Sequence, residues 1–354
     1  MKILFLFLFC ILQLNAFANA ASKRQSADIS KRKGPAISTE TVKLSMDRPE
    51  YCLLGGQSGN SFYGPANYMM TIWKNNIIYI GESGGRQDYT AQRDTLKSMN
   101  MARGKKIVVA FGAMNKEIQP LLDEYLSGGM TQEEFFAAMS GREDTNYDIT
   151  KYKEILDFIK ERELKALAIG LPADLVDAIE EYGENNLSQE EKRLIPLSST
   201  DPHNSAYENY IRKKLEDASG KKVSAEALRK HIHALAVLNE TMAKTLSEFI
   251  QEHPDYSALA IVDNERIIYA SGITLSAKNY LSSSSQDENA ASENNEKTSI
   301  PYTTIYIKHA VSCPRKLPDS DKNLGGFVWY MDNTPKPENE ETDISAENGK
   351  EVKK

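Results

Sequence analysis

The sequence predicts an α/β fold: a mainly parallel sheet flanked by helices, with a helical insertion forming a lid. Three observations carry this. Short apolar runs alternate with longer helical patterns, as in sheets whose strands are joined by crossover helices. Those runs are continuous rather than alternating in polarity, which marks strands buried on both faces. One interval between strands, from Ala173 to about Glu252, is too long for a single crossover helix and holds the extra helices.

The strand signals come in order. Asn76-Ile77-Ile78-Tyr79-Ile80-Gly81 is the first, followed by a helix from about Gln87 to Met101. Lys106-Ile107-Val108-Val109-Ala110-Phe111-Gly112 is the second, and helical segments follow to about Glu161. Among them Thr131 stands three residues before Glu134, a capping pattern. Ala166-Leu167-Ala168-Ile169-Gly170 is the third strand. The long helical region after it is broken at Gly183, Pro196 and Pro202. Ser257 to Val262 and Thr303 to Ile307 are the fourth and fifth strands.

The domain, about residues 46–335, is framed by polar segments. Residues 1–20 read as a cleavable export signal, with Lys2, an apolar stretch from Ile3 to Leu14 and the small-residue site Ala18-Asn19-Ala20. This predicts an exported protein, periplasmic or at the cell surface. Phe9 beside Cys10 fits poorly with lipidation of that cysteine. Residues 21–45 read as a flexible leader and 336–354 as a disordered tail. Residues 282–299, rich in Ser, Asn and Glu, read as a disordered loop insertion.

Composition excludes some partners. The formal net charge is −7, and loss of Lys2 with the signal makes it one unit more negative. This mild acidity argues against nucleic acid. With Cys10 removed, Cys52 and Cys313 remain, and export permits a disulfide. The spacing leaves paired and free thiols equally open.

In parallel sheets, ligands meet the carboxyl ends of the strands. Glu82 is the outstanding residue there: a carboxylate just after an apolar strand can serve as a base, hold a metal, or cap the next helix. Gly81-Glu82-Ser83-Gly84-Gly85 lacks dinucleotide spacing and leaves only a weak phosphate nest. His231 and His233 are two apart and do not share a helix face. His203, His253 and His309 read as surface or capping residues. Tyrosine is abundant, 17 against 2 tryptophans, and a phenolate can ligate ferric haem. Tyr89, Tyr207 and Tyr210 stand nearest the expected mouth.

These strand ends resemble the ChaN-like haem-binding uptake family, within the Tiki and erythromycin-esterase-like superfamily. The resemblance runs through Tyr79-Ile80-Gly81-Glu82 with Gln92, then Gln119-Pro120-Leu121-Leu122-Asp123-Glu124-Tyr125-Leu126-Ser127-Gly128 with Glu133-Glu134-Phe135. It continues through Leu171-Pro172, Gly183, Leu187-Ser188 and Pro196, then Asn239-Glu240-Thr241-Met242-Ala243, Gly272-Ile273 and Phe327-Val328-Trp329. The polar positions of the family's site depart from its pattern. Gly84 stands where the family has a histidine, Asp88 and Tyr89 replace its histidine pair, and Gly112 replaces its second glutamate. Gly170, Asn239 and Arg266 replace an asparagine, an aspartate and another histidine. Only Glu82 is retained, with no histidine expected near the strand ends, and one carboxylate does not assemble a divalent metal site.

The resemblance therefore implies an exported haem- or iron-uptake-associated binding protein without catalytic activity. Its partner would be haem or an iron-containing small molecule, with Glu82 and Tyr89 as cofactor-binding residues. A hydrolase of the Tiki type, metal-dependent or centred on Glu82, is the alternative. So is a pseudoenzyme scaffold that binds another exported protein. The oligomeric state stays open, a homo-oligomer included.

Overall fold

The computed structural model describes residues 52–56, 65–85, 87–140, 142, 148–196, 204–283, 300–310 and 312–332. The expected signal, leader and tail lie outside these residues, as does the loop insertion from 284 onward.

Seven strands form one sheet among the described residues: β1 (Cys52–Gly55), β2 (Ile77–Glu82), β3 (Ile107–Asn115), β4 (Lys165–Gly170), β5 (Ser257–Asp263), β6 (Tyr302–Ala310) and β7 (Phe327–Asp332). Their order is β1-β7-β6-β2-β5-β3-β4. All neighbours are parallel except β1, which runs antiparallel to β7. The five expected strands are all present. β1 and β7 are additions: four residues are too few to show a period, and Phe327-Val328-Trp329 was marked only by resemblance.

Alternation along the strands divides the core into two layers. Ile78 and Ile80 of β2 face one cluster with Val109, Phe111, Ile261 and Ile305. Against it pack α1 (Pro65–Lys74), α2 (Asp88–Arg103), α3 (Gln119–Ser127), α4 (Gln132–Ser140) and α5 (Lys153–Glu161). Ile77 and Tyr79 face the other cluster with Val108, Ala110, Ala260 and Val262. That side is covered by α6 (Ala173–Tyr182), α9 (Ala225–Glu252) and α10 (Ile273–Ser283), and by Leu187 and Ile195 on either side of the one-turn α7 (Gln189–Lys192). Between α7 and α9, helix α8 (Ser205–Ser219) sets Tyr207 and Ile211 into a third cluster with Cys52 and Leu54 of β1 and Val328 and Tyr330 of β7. No helix of the described residues is long and apolar enough to cross a membrane.

Both sheet edges are guarded, as exposed backbone donors and acceptors invite association. At β4 the side-chain amide of Gln119 acts as a neighbouring strand: its Nε2 donates to the Ala166 carbonyl at 3.0 Å and its Oε1 accepts from Ala168 N at 2.7 Å. That gives the Gln119-Pro120 block a physical reason. At the opposite edge Cys52 is joined to Cys313, with their Cα atoms 5.6 Å apart. The two readings of these cysteines resolve to the paired one.

Candidate functional site at the carboxyl edge

Glu82 ends β2 and its side chain is partly buried. Tyr152 Oη lies 2.8 Å from both carboxylate oxygens and donates to them, and Gln92 Nε2 donates to Oε2 at 3.3 Å. Burial and the nearby Asp263 push this acid up to about 7, with a smaller push from Asp88, against the bonds from Tyr152 and Gln92. Among the described residues no cation is paired with it, which leaves burial and the neighbouring carboxylates to set the upward shift. Gln92 is fully buried and its Oε1 has no partner. A protonated Glu82 could donate to that oxygen if the amide turned over, giving each ionisation state a partner.

Behind Glu82 the chain makes a second polar unit. Asp88, at the start of α2, is 0 % exposed. Its Oδ2 accepts from Ser83 N at 2.6 Å, Ser83 Oγ at 3.2 Å and Gly85 N at 3.2 Å. The glycine-rich nest anticipated for phosphate thus holds the protein's own carboxylate. Asp88 Oδ1 in turn meets His309 Nε2 at 2.8 Å.

His309 corrects the expectation that no histidine stands near the strand ends. β6 pairs with β2 only as far as Ile80–Ile305, then continues to Ala310. That overhang carries His309 to Asp88, 221 positions away in sequence. A Cβ at position 85 would come within 2.2 Å of His309 Nε2, so Gly85 makes room for the ring. The remaining ring nitrogen, Nδ1, is buried without a partner. His309 is therefore a member of the site rather than a surface or capping residue. Spacing gave no hint of it; only the parallel pairing of two distant strands brings it there.

Other substituted positions have packing reasons. β3 continues three residues beyond the expected end at Gly112, through an irregular register between Phe111 and Asn115. A Cβ at Gly170 would sit 2.4 Å from the Gly112 carbonyl oxygen, and one at Gly112 would sit 2.9 Å from Val262 Cγ1. At Gly170 backbone approaches backbone, and at Gly112 the Val262 side chain and the Ile261 carbonyl crowd the position. Arg266 is buried and donates to Asp263 Oδ2 at 2.9 Å and to Asn239 Oδ1 at 3.4 Å. Two substituted positions, Asn239 and Arg266, therefore contact each other.

Tyr89, beside Asp88, packs edge-on against Tyr152 with ring centroids 5.3 Å apart. Burial, then Glu82, Asp88 and Asp148, hold its phenol above the usual range. Tyr210 Oη lies 3.4 Å from Tyr306 Oη and its ring meets that of Tyr269 edge-on. Tyr207 faces the third core cluster. The helical insertion is tied to the strand ends by the Lys214–Glu265 ion pair and by Asn204 Nδ2, which donates to the Tyr269 carbonyl at 3.1 Å. His231 and His233 each meet a glutamate, Glu180 at 2.8 Å and Glu184 at 3.1 Å, and His253 caps α9. His203, expected as a surface or capping residue, lies outside the described residues. Among the described residues no group of three or more His, Cys, Asp or Glu side chains is placed to hold a metal ion.

Fold and site together define a mainly parallel α/β domain with ionisable groups gathered at the carboxyl ends of its strands. The chain belongs to the family described as haem-binding uptake, Tiki superfamily, ChaN, whose model matches residues 69–275. The fold is shared with the ChaN of Campylobacter jejuni, solved for its cofacial haem binding: TM-score 0.57, 11% identity, covering 79% of this chain and 96% of that one. The type III effector HopBA1 has a TM-score of 0.42 and 10% identity, over 76% of this chain and 93% of its own. An erythromycin esterase mutant, EreC, has a TM-score of 0.39 and 16% identity, over 79% and 82%. No curated protein matches the chain by sequence.

Haem takes an axial nitrogen, oxygen or sulfur donor. Phenol oxygens at this edge are donors of the right kind. The carboxylates around Tyr89 oppose a bare phenolate yet favour a cation beside it, and ferric iron is such a cation. His309 fits less well, with Nε2 engaged by Asp88 and Nδ1 enclosed.

Proposed function

We propose that this is an exported protein of haem or iron uptake that acts by capturing haem at the carboxyl edge, without catalysing a reaction on it. The observation that carries this is the family match over residues 69–275, which spans Glu82, Tyr89 and the whole helical insertion. The Cys52–Cys313 bond supports export, since disulfides persist in oxidising compartments. Tyr89 would hold the haem iron through its phenol oxygen, with Glu82 as the acid at the same corner. A bound haem would supply positive charge that favours loss of the Tyr89 phenol proton, and Glu82, pushed up to about 7 and felt electrostatically by Tyr89, would be the nearby base. Tyr152 and Gln92 keep the Glu82 carboxyl oriented toward this corner.

Hemin titration of the mature protein should give a shifted Soret band and saturable binding. Tyr89→Phe should weaken binding by about tenfold or more, the loss of about 1.4 kcal/mol or more of ligand contact. A flat titration of the wild type sinks the reading; unchanged affinity in Tyr89→Phe removes Tyr89 from it.

A second reading is favoured by one observation. An acid titrating near 7 beside a buried Asp–His pair suits proton transfer in ester or amide hydrolysis. Hydrolysis of an ester panel that vanishes in Glu82→Gln, while hemin fails to bind, would favour it over capture.

A further inference from the structure

We propose that the Cys52–Cys313 bond is a thiol–disulfide exchange site, opened at Cys313 by an exported dithiol oxidoreductase, and that its opening loosens the seat of α8. The two sulfurs stand in unlike surroundings. Cys52 is 2 % exposed, packed with Leu54, Tyr207, Ile211 and Leu317. Cys313 is exposed, in a connection between β6 and β7 that also exposes Arg315 and Lys316. An attacking thiolate is an anion and needs access to one sulfur. Cys313 offers the access, and the two basic residues favour the approaching charge and the thiolate released there later.

The exchange balances without a further reactant. The partner's thiolate attacks Cys313 Sγ, the S–S bond breaks, and Cys52 leaves as a thiolate that takes up a proton. The partner's second thiol then attacks its own sulfur in the mixed disulfide and frees Cys313. Two electrons and two protons pass from the dithiol to the protein, and the partner ends as a disulfide. Until that second step Cys52, enclosed beside Cys313, can reverse the first.

The link to α8 lies in the third core cluster. β1 is four residues long and pairs with β7 alone among the strands. Its Cys52 and Leu54 share one cluster with Tyr207 and Ile211 of α8, and with Leu317 and Leu324 of the β6–β7 connection. The disulfide is the covalent tie across this cluster, and it closes a chain separation of 261 residues. Once it opens, β1 is held among the described residues by its short ladder, by the backbone bonds of Gly56 to Gly326 and Asn323, and by its apolar contacts. The helix over it then loses part of its floor, although the Lys214–Glu265 and Asn204–Tyr269 ties remain. The proposal depends on the export reading only for the compartment of the partner.

The test uses the oxidised wild-type chain under native conditions with reduced thioredoxin as the probe. Alkylation and mass spectrometry should show both cysteines reduced, and a thioredoxin lacking its second cysteine should be trapped on Cys313. Hydrogen exchange should then rise first in residues 52–56 and 205–219, by roughly 30-fold, the low end of about 2 kcal/mol for a native disulfide. A bond that stays closed until the protein is unfolded in urea overturns the proposal. Trapping on Cys52, or reduction with unchanged exchange in 205–219, overturns its assignment of the attacked sulfur or of the coupling. A Cys52→Ser/Cys313→Ser chain should match the reduced protein; if it misfolds, the wild-type measurements decide alone. Hemin binding enters none of these readouts, so failure here leaves the capture reading standing.

Discussion

Glu82 and Asp321 are carboxylates taken into the same half of one small domain, yet their environments drive them in opposite directions. Asp321 is 1 % exposed, and burial alone would raise its pKa. Lys308 Nζ donates to it at 2.6 and 2.8 Å, Tyr330 Oη at 2.6 Å and Ser320 Oγ at 2.9 Å. Together these outweigh burial and hold the acid below the usual range. Among the described residues Glu82 has a phenol and an amide but no cation as partner, with Asp263 and Asp88 nearby, and is pushed up to about 7. Asp321 is thus held as an anion at neutral pH and joins the β6–β7 connection to the sheet. Glu82 is an acid that can change state where a ligand would arrive. The lesson is that enclosure by itself does not decide charge; the partner does.

The largest test of this contrast removes the cation. Lys308→Met should destabilise the protein by about 1–3 kcal/mol at pH 7 in urea unfolding, discounted because the lysine side chain is 38% exposed. A paired acid with a lowered pKa gives stability above its unfolded pKa and loses it as pH falls through the folded value. The cost of Lys308→Met should therefore shrink in strong acid. A variant as stable as wild type at pH 7 would mean that the tyrosine and serine alone carry Asp321.

The sign reverses at Glu82. An acid with a raised folded pKa contributes stability in full below about 4.3, its unfolded value, and loses it as pH rises toward the folded value. With that value about 7, the window runs from the unfolded value to neutrality. Glu82→Gln should leave stability nearly unchanged at pH 4 and raise it by about 1–3 kcal/mol at pH 8. Equal effects at both pH values would show that Glu82 is not the titrating group.

The smallest effect is expected at Tyr152. Its hydroxyl stabilises ionised Glu82, so Tyr152→Phe should move the Glu82 titration upward and cost about 1 kcal/mol, more at pH 8 than at pH 5. An NMR titration of the Glu82 carboxyl carbon reads the shift directly. A midpoint that moves downward would overturn the assigned role of the phenol.

How far this site was legible follows the range of the interactions. Glu82 stood out because strand and carboxylate are adjacent in sequence, and the Thr131–Glu134 cap was readable for the same reason: Thr131 N donates to Glu134 Oε2 at 2.8 Å. Tyr152 and His309 were not legible as site members. Tyr152 enters from a helical turn 70 positions away, and His309 from a strand 221 positions beyond Asp88. Nor could spacing show that Gly112 and Gly170 are backbone-to-backbone contacts, or that Gln119 stands in for a strand.

The sequence by itself determined the α/β class, five of the parallel strands, the placement of the helical insertion and the family resemblance. Each of these rests on local periodicity or on blocks of neighbouring residues, which the chain carries whatever its partners. Tertiary structure decided the rest: the strand order, the pairing of Cys52 with Cys313, the arrival of His309 and the opposite pKa shifts of Glu82 and Asp321. Those depend on which distant groups come within a few ångströms, and both electrostatics and hydrogen bonding act at that distance rather than along the chain.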